Sequence, residues 1–321
     1  MVRPYVAARS RTQQPDRAVP KVPRSGHGAP GTVTAMILVT GATGTVGRHV
    51  VQLLQQGGHR ARAMTRGRPG HPLPPDTDVV RADFDDPDSL RRALTGVHSV
   101  FLLTAPAAPT PDHDLALLAA ARSAHVTSVV KLSAIGTGER FGTVTVGAWH
   151  QAAEDAVRAS GMAWTVLRPS SFASNFLHWA SLIRAGQPVP NLTGEGKQGI
   201  IDPRDIAAVA VAALTDPAHA GMTYTLTGPE PLHVPDQATR LAQVIGRPVD
   251  TTDLPPAVAR QQLLASGMPS AAVEATIIGS AWARAGHNAV VTDDVEKVLG
   301  RAPATFLSWA QRHREAFIGT R

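Results

Sequence analysis

The chain contains no cysteine. Structural disulfides, thiolate zinc sites, iron–sulfur clusters and cysteine nucleophiles are therefore excluded, and no metal site is expected. The same absence suits a reducing compartment, so a cytoplasmic location is expected. Long apolar runs are missing as well. No stretch of the 321 residues reaches the roughly 18 apolar residues that cross a bilayer, and no membrane partner is expected. Aromatic residues make up only 4%, and the two tyrosines are Tyr5 and Tyr224. Excess positive charge is nearly absent from most of the chain. Residues 1–35 hold Arg3, Arg9, Arg11, Arg17, Lys21 and Arg24 against Asp16 alone, which accounts for +5 of the total +6. The rest is close to neutral, so no nucleic-acid partner is expected for it.

Residues 1–35 are rich in Pro, Gly, Arg and Ser, show no apolar period, and lack the apolar centre of a secretory signal. They are expected to be a disordered, dispensable basic extension, with the fold beginning at Met36. From there short apolar runs alternate with helical segments, the pattern of a parallel sheet covered by helices on both faces. Strands are expected at 36–40, 60–65, 78–82, 99–103, 128–132 and 163–167, with helices at 46–56, 86–94, 113–123 and 149–159. After residue 170 the rhythm loosens. A helix is expected over 174–185, another at 205–214 capped by Asp205, and a late strand at 222–226. The predicted organisation is a nucleotide-binding layer over 36–170 and a smaller, mostly helical lobe over 171–321. The helix and strand of that lobe return to the sheet.

The first strand, MILVT, runs directly into GATGTVG, and a helix follows. Gly41, Gly44 and Gly47 allow a tight turn and a close backbone approach, while the amides of Thr43, Thr45 and Val46 lie at the helix N-terminus. Together they form a site for a dinucleotide pyrophosphate. NAD-specific sites place an acidic residue at the end of the second strand to bind the 2′-hydroxyl. No acidic residue occurs between Met36 and Pro75, and Arg66 and Arg68 stand at that position instead. A guanidinium pairs with a 2′-phosphate through parallel hydrogen bonds, so NADPH is expected over NADH. The third strand ends in Asp83-Phe84, which either meets the adenine edge or, for Asp83, serves the turn. Thr104 and Pro169, at the ends of the fourth and sixth strands, are expected near the nicotinamide.

TGATGTVG, RAMTR, ADF, VVKLSA, WHQAAE, SGMAWTVLRPSSFASN, DPRDIA, YTLTGPEPL and TDDVEKVLGRAPATFLSWA occur in order within residues 36–318. Together they resemble the NmrA-like branch of the atypical short-chain dehydrogenases. That resemblance implies a Rossmann-type α/β fold, a doubly wound parallel sheet whose C-terminal lobe closes over the nicotinamide. It also implies kinship with NADPH-dependent quinone, azo-dye and triphenylmethane-dye reductases and with redox-sensing regulators. Ordinary members of the wider superfamily use a serine with Tyr-x-x-x-Lys, the tyrosine acting as acid. Ser133 matches the serine, but His150 and Glu154 occupy the other two positions.

An imidazole with an ordinary pKa near 6.5 can deliver a proton, and Glu154, one turn on, can orient it. The alternatives are an exposed His150–Glu154 pair and a Ser133 hydroxyl that only satisfies the backbone. Lys131 is taken as structural. Phe172, Phe176 and Trp179, with Trp282, form either an apolar pocket wall or core, and Asn175 either faces the pocket or caps a helix. The function expected is an NADPH-dependent reductase of a conjugated small molecule such as a quinone, azo compound or aromatic ketone. It would work as a monomer or homodimer. Two other functions stay open, an NADP(H)-sensing regulator without turnover and an isomerase or epimerase with retained cofactor.

Overall fold

The computed structural model describes residues 35–67 and 70–319. The expectations for residues 1–34, Tyr5 and Arg68 therefore lie outside the described residues. The chain opens β1 (Met36–Val39), α1 (Gly47–Gln56), β2 (Arg60–Thr65), β3 (Asp78–Arg81), α2 (Pro87–Ala93), β4 (Val97–Leu102), α3 (Asp112–Ser123) and β5 (Ser128–Leu132). A small hairpin of β6 (Arg140–Phe141) and β7 (Val144–Thr145) precedes α4 (Ala148–Arg158) and β8 (Ala163–Pro169). Next come a 3₁₀ helix (Ala173–Trp179), α5 (Ala180–Arg184), β9 (Val189–Asn191), α6 (Pro203–Thr215) and β10 (Met222–Leu226). The lobe continues through α7 (Val234–Ile245), β11 (Thr251–Asp253), α8 (Pro256–Ala265) and α9 (Ser270–Arg284). It ends with α10 (Asp294–Leu299), α11 (Phe306–Arg312) and α12 (Arg314–Ile318).

Seven strands form one parallel sheet in the order β3-β2-β1-β4-β5-β8-β10. The central strands are apolar along their length because helices cover both faces, and β1 is buried at every residue. On one face Val39, Phe101, Val130 and Leu226 pack against Val50 and Leu54 of α1 and Ile206 and Val209 of α6. On the other, Leu38, Val100 and Val129 meet Leu90 of α2, Leu117 of α3 and Val157 of α4. A further core gathers Phe176, Phe306, Trp309 and Phe317 in the lobe. None of the described helices is long and apolar enough to cross a membrane.

Two expectations need correction here. The 174–185 segment is a 3₁₀ helix followed by the short α5, not one α-helix. At three residues per turn Phe176 and Trp179 fall on one side, where they meet edge to face with centroids 4.8 Å apart. Asp205 does not cap α6. Asp202 does, accepting the Arg204 amide at 2.9 Å with Pro203 in the first helical position. Asp205, 2% exposed in the first turn, pairs with Arg301 at 2.7 Å and accepts the Ala304 amide, tying α6 to the chain after α10.

Candidate active site

The strand order reverses between β1 and β4, so the connections leaving these strands diverge and open a crevice at the carboxyl edge. Thr40 holds the two lips together. Its hydroxyl donates to the Leu103 carbonyl at 2.7 Å and accepts the Leu103 amide at 2.8 Å. Gly41 has φ +59°, and a Cβ there would come 2.7 Å from Leu103 Cδ2. At Gly47 a Cβ would stand 2.2 Å from the Gly41 carbonyl oxygen. Gly44 closes the turn by donating to that carbonyl at 2.9 Å. Side chains would fill this cradle. Its bare backbone, beside the first turn of α1, fits a pyrophosphate.

A cavity of about 230 Å³ opens beside the loop, with Gly41, Thr43, Thr65, Arg66, Phe84 and Leu103 in its wall. Arg66 is exposed and has no carboxylate partner among the described residues. Phe84 stacks on His113 with centroids 4.9 Å apart, giving the cavity a flat apolar edge. Asp83 serves the turn instead: its carboxylate accepts the Asp85 amide at 3.2 Å and its own amide donates to Ser89 Oγ. The Val46 side chain is 1% exposed within the core, which leaves only its backbone for a ligand. Thr45 faces a small cleft beside Arg48 and His71.

Leu103 and Ala105 also line a second cavity of about 590 Å³, so the two cavities adjoin at the sheet's carboxyl edge. Thr104, Ser133, His150, Pro169, Phe172 and Asn175 all reach this second cavity, as does Trp282. Phe176 and Trp179 do not. Phe176 is 1% exposed and packs edge to face on Phe306 at 5.3 Å, so its apolar surface is already buried in the lobe core. Among the lining residues that the sequence reading did not single out are Trp149, Gly279 and Asn288. Trp149 stacks on His150 with centroids 3.6 Å apart, and its place beside His150 in WHQAAE was the available signal.

Glu154 does not orient His150. Its side chain is fully buried, and it accepts Ser133 Oγ at 2.6 Å, Arg168 Nε at 2.9 Å and Nη2 at 2.7 Å, and Arg158 Nη2 at 2.8 Å. Burial alone would raise its pKa, but the hydrogen bonds from Arg168, Ser133 and Arg158 outweigh it and hold the carboxyl below its ordinary value. Four donors saturate the carboxylate and leave none of its acceptor capacity for an imidazole. His150 Nδ1 is buried with no hydrogen-bond partner among the described residues. Burial, reinforced by the nearby Lys131 charge, pushes the imidazole down to about 3, so it is neutral at neutral pH.

Lys131 is fully buried, with Nζ 2.6 Å from Asp114 Oδ1. Burial lowers its pKa, opposed by Asp114. Thr104 Oγ1 donates to the other Asp114 oxygen at 2.7 Å. Ser170, also buried at the cavity, donates to Asn288 Oδ1 at 3.0 Å. The three hydroxyls at the cavity, those of Thr104, Ser133 and Ser170, are thus each committed as donors, to Asp114, Glu154 and Asn288.

The chain belongs to the NAD(P)H-binding family, whose sequence pattern matches residues 41–217. It is 40% identical to the (4-alkanoyl-5-oxo-2,5-dihydrofuran-3-yl)methyl phosphate reductase of Streptomyces griseus, over 88% of this chain and 99% of that protein. It is 37% identical to the NAD(P)H azoreductase of Xenophilus azovorans, again over 88% and 99%. Family and near-full-length relatives together make the chain an NAD(P)H-dependent oxidoreductase. Its fold is shared with an NADPH-dependent quinone oxidoreductase of Escherichia coli solved with NADPH. The TM-score is 0.74 at 22% identity, covering 86% of this chain and 99% of that one.

Proposed function

We propose that this protein is an NADPH-dependent reductase of conjugated small molecules such as quinones, azo compounds and aromatic ketones. The observation that carries the reading is the pair of adjoining cavities, one with Arg66 in its wall and the other walled by aromatic side chains. The two relatives named as reductases support the same class of reaction. The protein would act on its small-molecule substrate in the cytoplasm as a monomer or homodimer.

In this reading the glycine loop holds the pyrophosphate with its amides, and Arg66 pairs with the 2′-phosphate. Bound NADPH supplies the hydride. Thr104 and Pro169 border the nicotinamide, while Trp149, Phe172 and Trp282 offer flat apolar walls to an aromatic acceptor. Ser133 and His150 border the reacting atoms. Glu154 is a positioning residue that fixes the Ser133 hydroxyl. Conjugation explains why the site works without a strong acid. In a quinone or azo acceptor the incoming charge spreads over the conjugated system, and the proton that follows can come from solvent.

The same lack of an acid supports a second reading, a sensor that binds NADP(H) without turnover. Anaerobic NADPH oxidation against a panel of quinones, azo dyes and aromatic ketones separates the two. Turnover that falls in Ser133→Ala or His150→Ala is expected. Tight NADPH binding with no turnover across the panel would contradict the reductase.

A further inference from the structure

Gly279 lies in the body of α9, a helix of 15 residues, with ordinary helical backbone. Glycine is the poorest helix former after proline, so its place in a helix interior calls for a reason. Neighbouring glycines have one. A Cβ at Gly136 would meet the Trp282 ring at 2.6 Å, and a Cβ at Gly196 would stand 2.1 Å from the Ala283 carbonyl oxygen. Both let other segments approach α9 closely. Gly279 has no such neighbour: among the described residues, a Cβ there would find nothing within 4 Å. Packing and backbone conformation therefore leave this glycine unexplained. What it faces is the 590 Å³ cavity.

The position of α9 is held elsewhere. Trp282, one turn on and 3% exposed, donates from Nε1 to Glu139 Oε2 at 3.0 Å. Arg284 pairs with Asp253 at 2.6 Å. With the helix docked by these residues, the missing side chain at 279 is space added to that cavity. Residues three apart share a helix face, so the bare backbone at 279 adjoins the Trp282 ring.

The geometry points to Gly279 as the residue that sets the size limit of the acceptor. It admits a flat substrate of more than one fused ring, whose far edge rests on the α9 backbone between Trp149 and Trp282. This rests on the reductase reading above for its catalytic readout, and on binding alone for its independent one.

The test uses the full chain, G279A and G279L, with 1,4-benzoquinone as a one-ring acceptor and 9,10-phenanthrenequinone as a three-ring acceptor. In G279L, kcat/KM for phenanthrenequinone falls by about tenfold or more, while that for benzoquinone changes by less than about threefold. The Kd for NADPH is unchanged in both variants. G279A raises Tm by about 2 °C, because alanine is the better helix former and meets no obstruction. Quenching of tryptophan fluorescence by phenanthrenequinone, in the presence of NADP⁺, measures the same fit without turnover. If neither quinone oxidises NADPH, the reductase reading fails, yet weaker quenching in G279L still supports the size limit. Equal phenanthrenequinone affinity in G279L and the natural chain overturns the proposal. So does a fall of Tm in G279A, which would give the glycine a packing role.

Discussion

The two ends of this cavity pair are assembled in different ways. The end proposed for adenosine comes mainly from one short stretch, residues 41–66, with Phe84 and the residues after β4 completing the wall. Its working surface is largely backbone, shaped by glycines. The acceptor end draws on segments from Leu103 to Asn288, and its surface is side chains. Behind that surface stand two buried carboxylates, Asp114 and Glu154, each matched by cations and each claiming a hydroxyl proton. A local, backbone-built site suits a ligand common to many proteins, and a dispersed, side-chain-built site can vary with the substrate.

Perturbing each region separately tests this division. The largest expected effect lies outside both cavities. Phe176→Ala should lower unfolding stability by about 3–5 kcal/mol in denaturant titration, with KM for the acceptor unchanged. A raised KM at undiminished stability would return Phe176 to the pocket. Next comes the adenosine end. Gly47→Val forces a side chain against the Gly41 carbonyl and should weaken NADPH binding at least roughly a hundredfold, or about 2.7 kcal/mol, by calorimetric titration. Retained affinity would mean the loop does not hold the pyrophosphate.

Arg66→Ala is expected to weaken NADPH about tenfold or more while leaving NADH nearly untouched, as suits a charge-assisted bond to a phosphate. Equal losses for both cofactors would remove the 2′-phosphate role.

The remaining comparison is with pH. His150 sits near 3 in the folded state against an ordinary 6.5, so the unfolded chain binds the extra proton as pH falls. Its contribution is whole above 6.5 and is lost progressively between 6.5 and 3. Glu154, held below its ordinary 4.5, contributes above that value and loses its share as pH falls through the lower folded value. Thermal melts of His150→Gln should therefore lose less stability than the natural chain between pH 6.5 and 4.5. Turnover of the natural chain should show no imidazole ionisation across the same window. An imidazole limb near 6.5 that disappears in His150→Gln would show that the residue is protonated in the working site.

The same division explains what could be read in advance. Contiguous features were legible. The strand at Ser128–Leu132, the glycine loop, Arg66 and Phe84 each carry their signal within a few residues. The strands between residues 36 and 169 were readable because buried parallel strands are continuous apolar runs. Features that depend on distant partners were not. Glu154 looked like a companion for His150 because the two are one helical turn apart, but Arg168 arrives from β8 and takes the carboxylate. Arg158, four residues beyond Glu154, was the visible half of that network. Phe176 and Trp179 read equally as pocket or core until Phe306, far along the chain, settled their place. Asp202-Pro203 carried a capping signal that Asp205 obscured. Gly279 has no local mark at all, since only the empty space before it distinguishes it.

The most direct measurement is an anaerobic single turnover. The protein is mixed with one equivalent of NADPH and an excess of 9,10-phenanthrenequinone, and nicotinamide absorbance is followed, with NADH in parallel. Rapid and stoichiometric loss with NADPH, slower with NADH and negligible without protein, is the predicted result. Absorbance that persists while NADPH is demonstrably bound would contradict the account and make the protein a cofactor sensor.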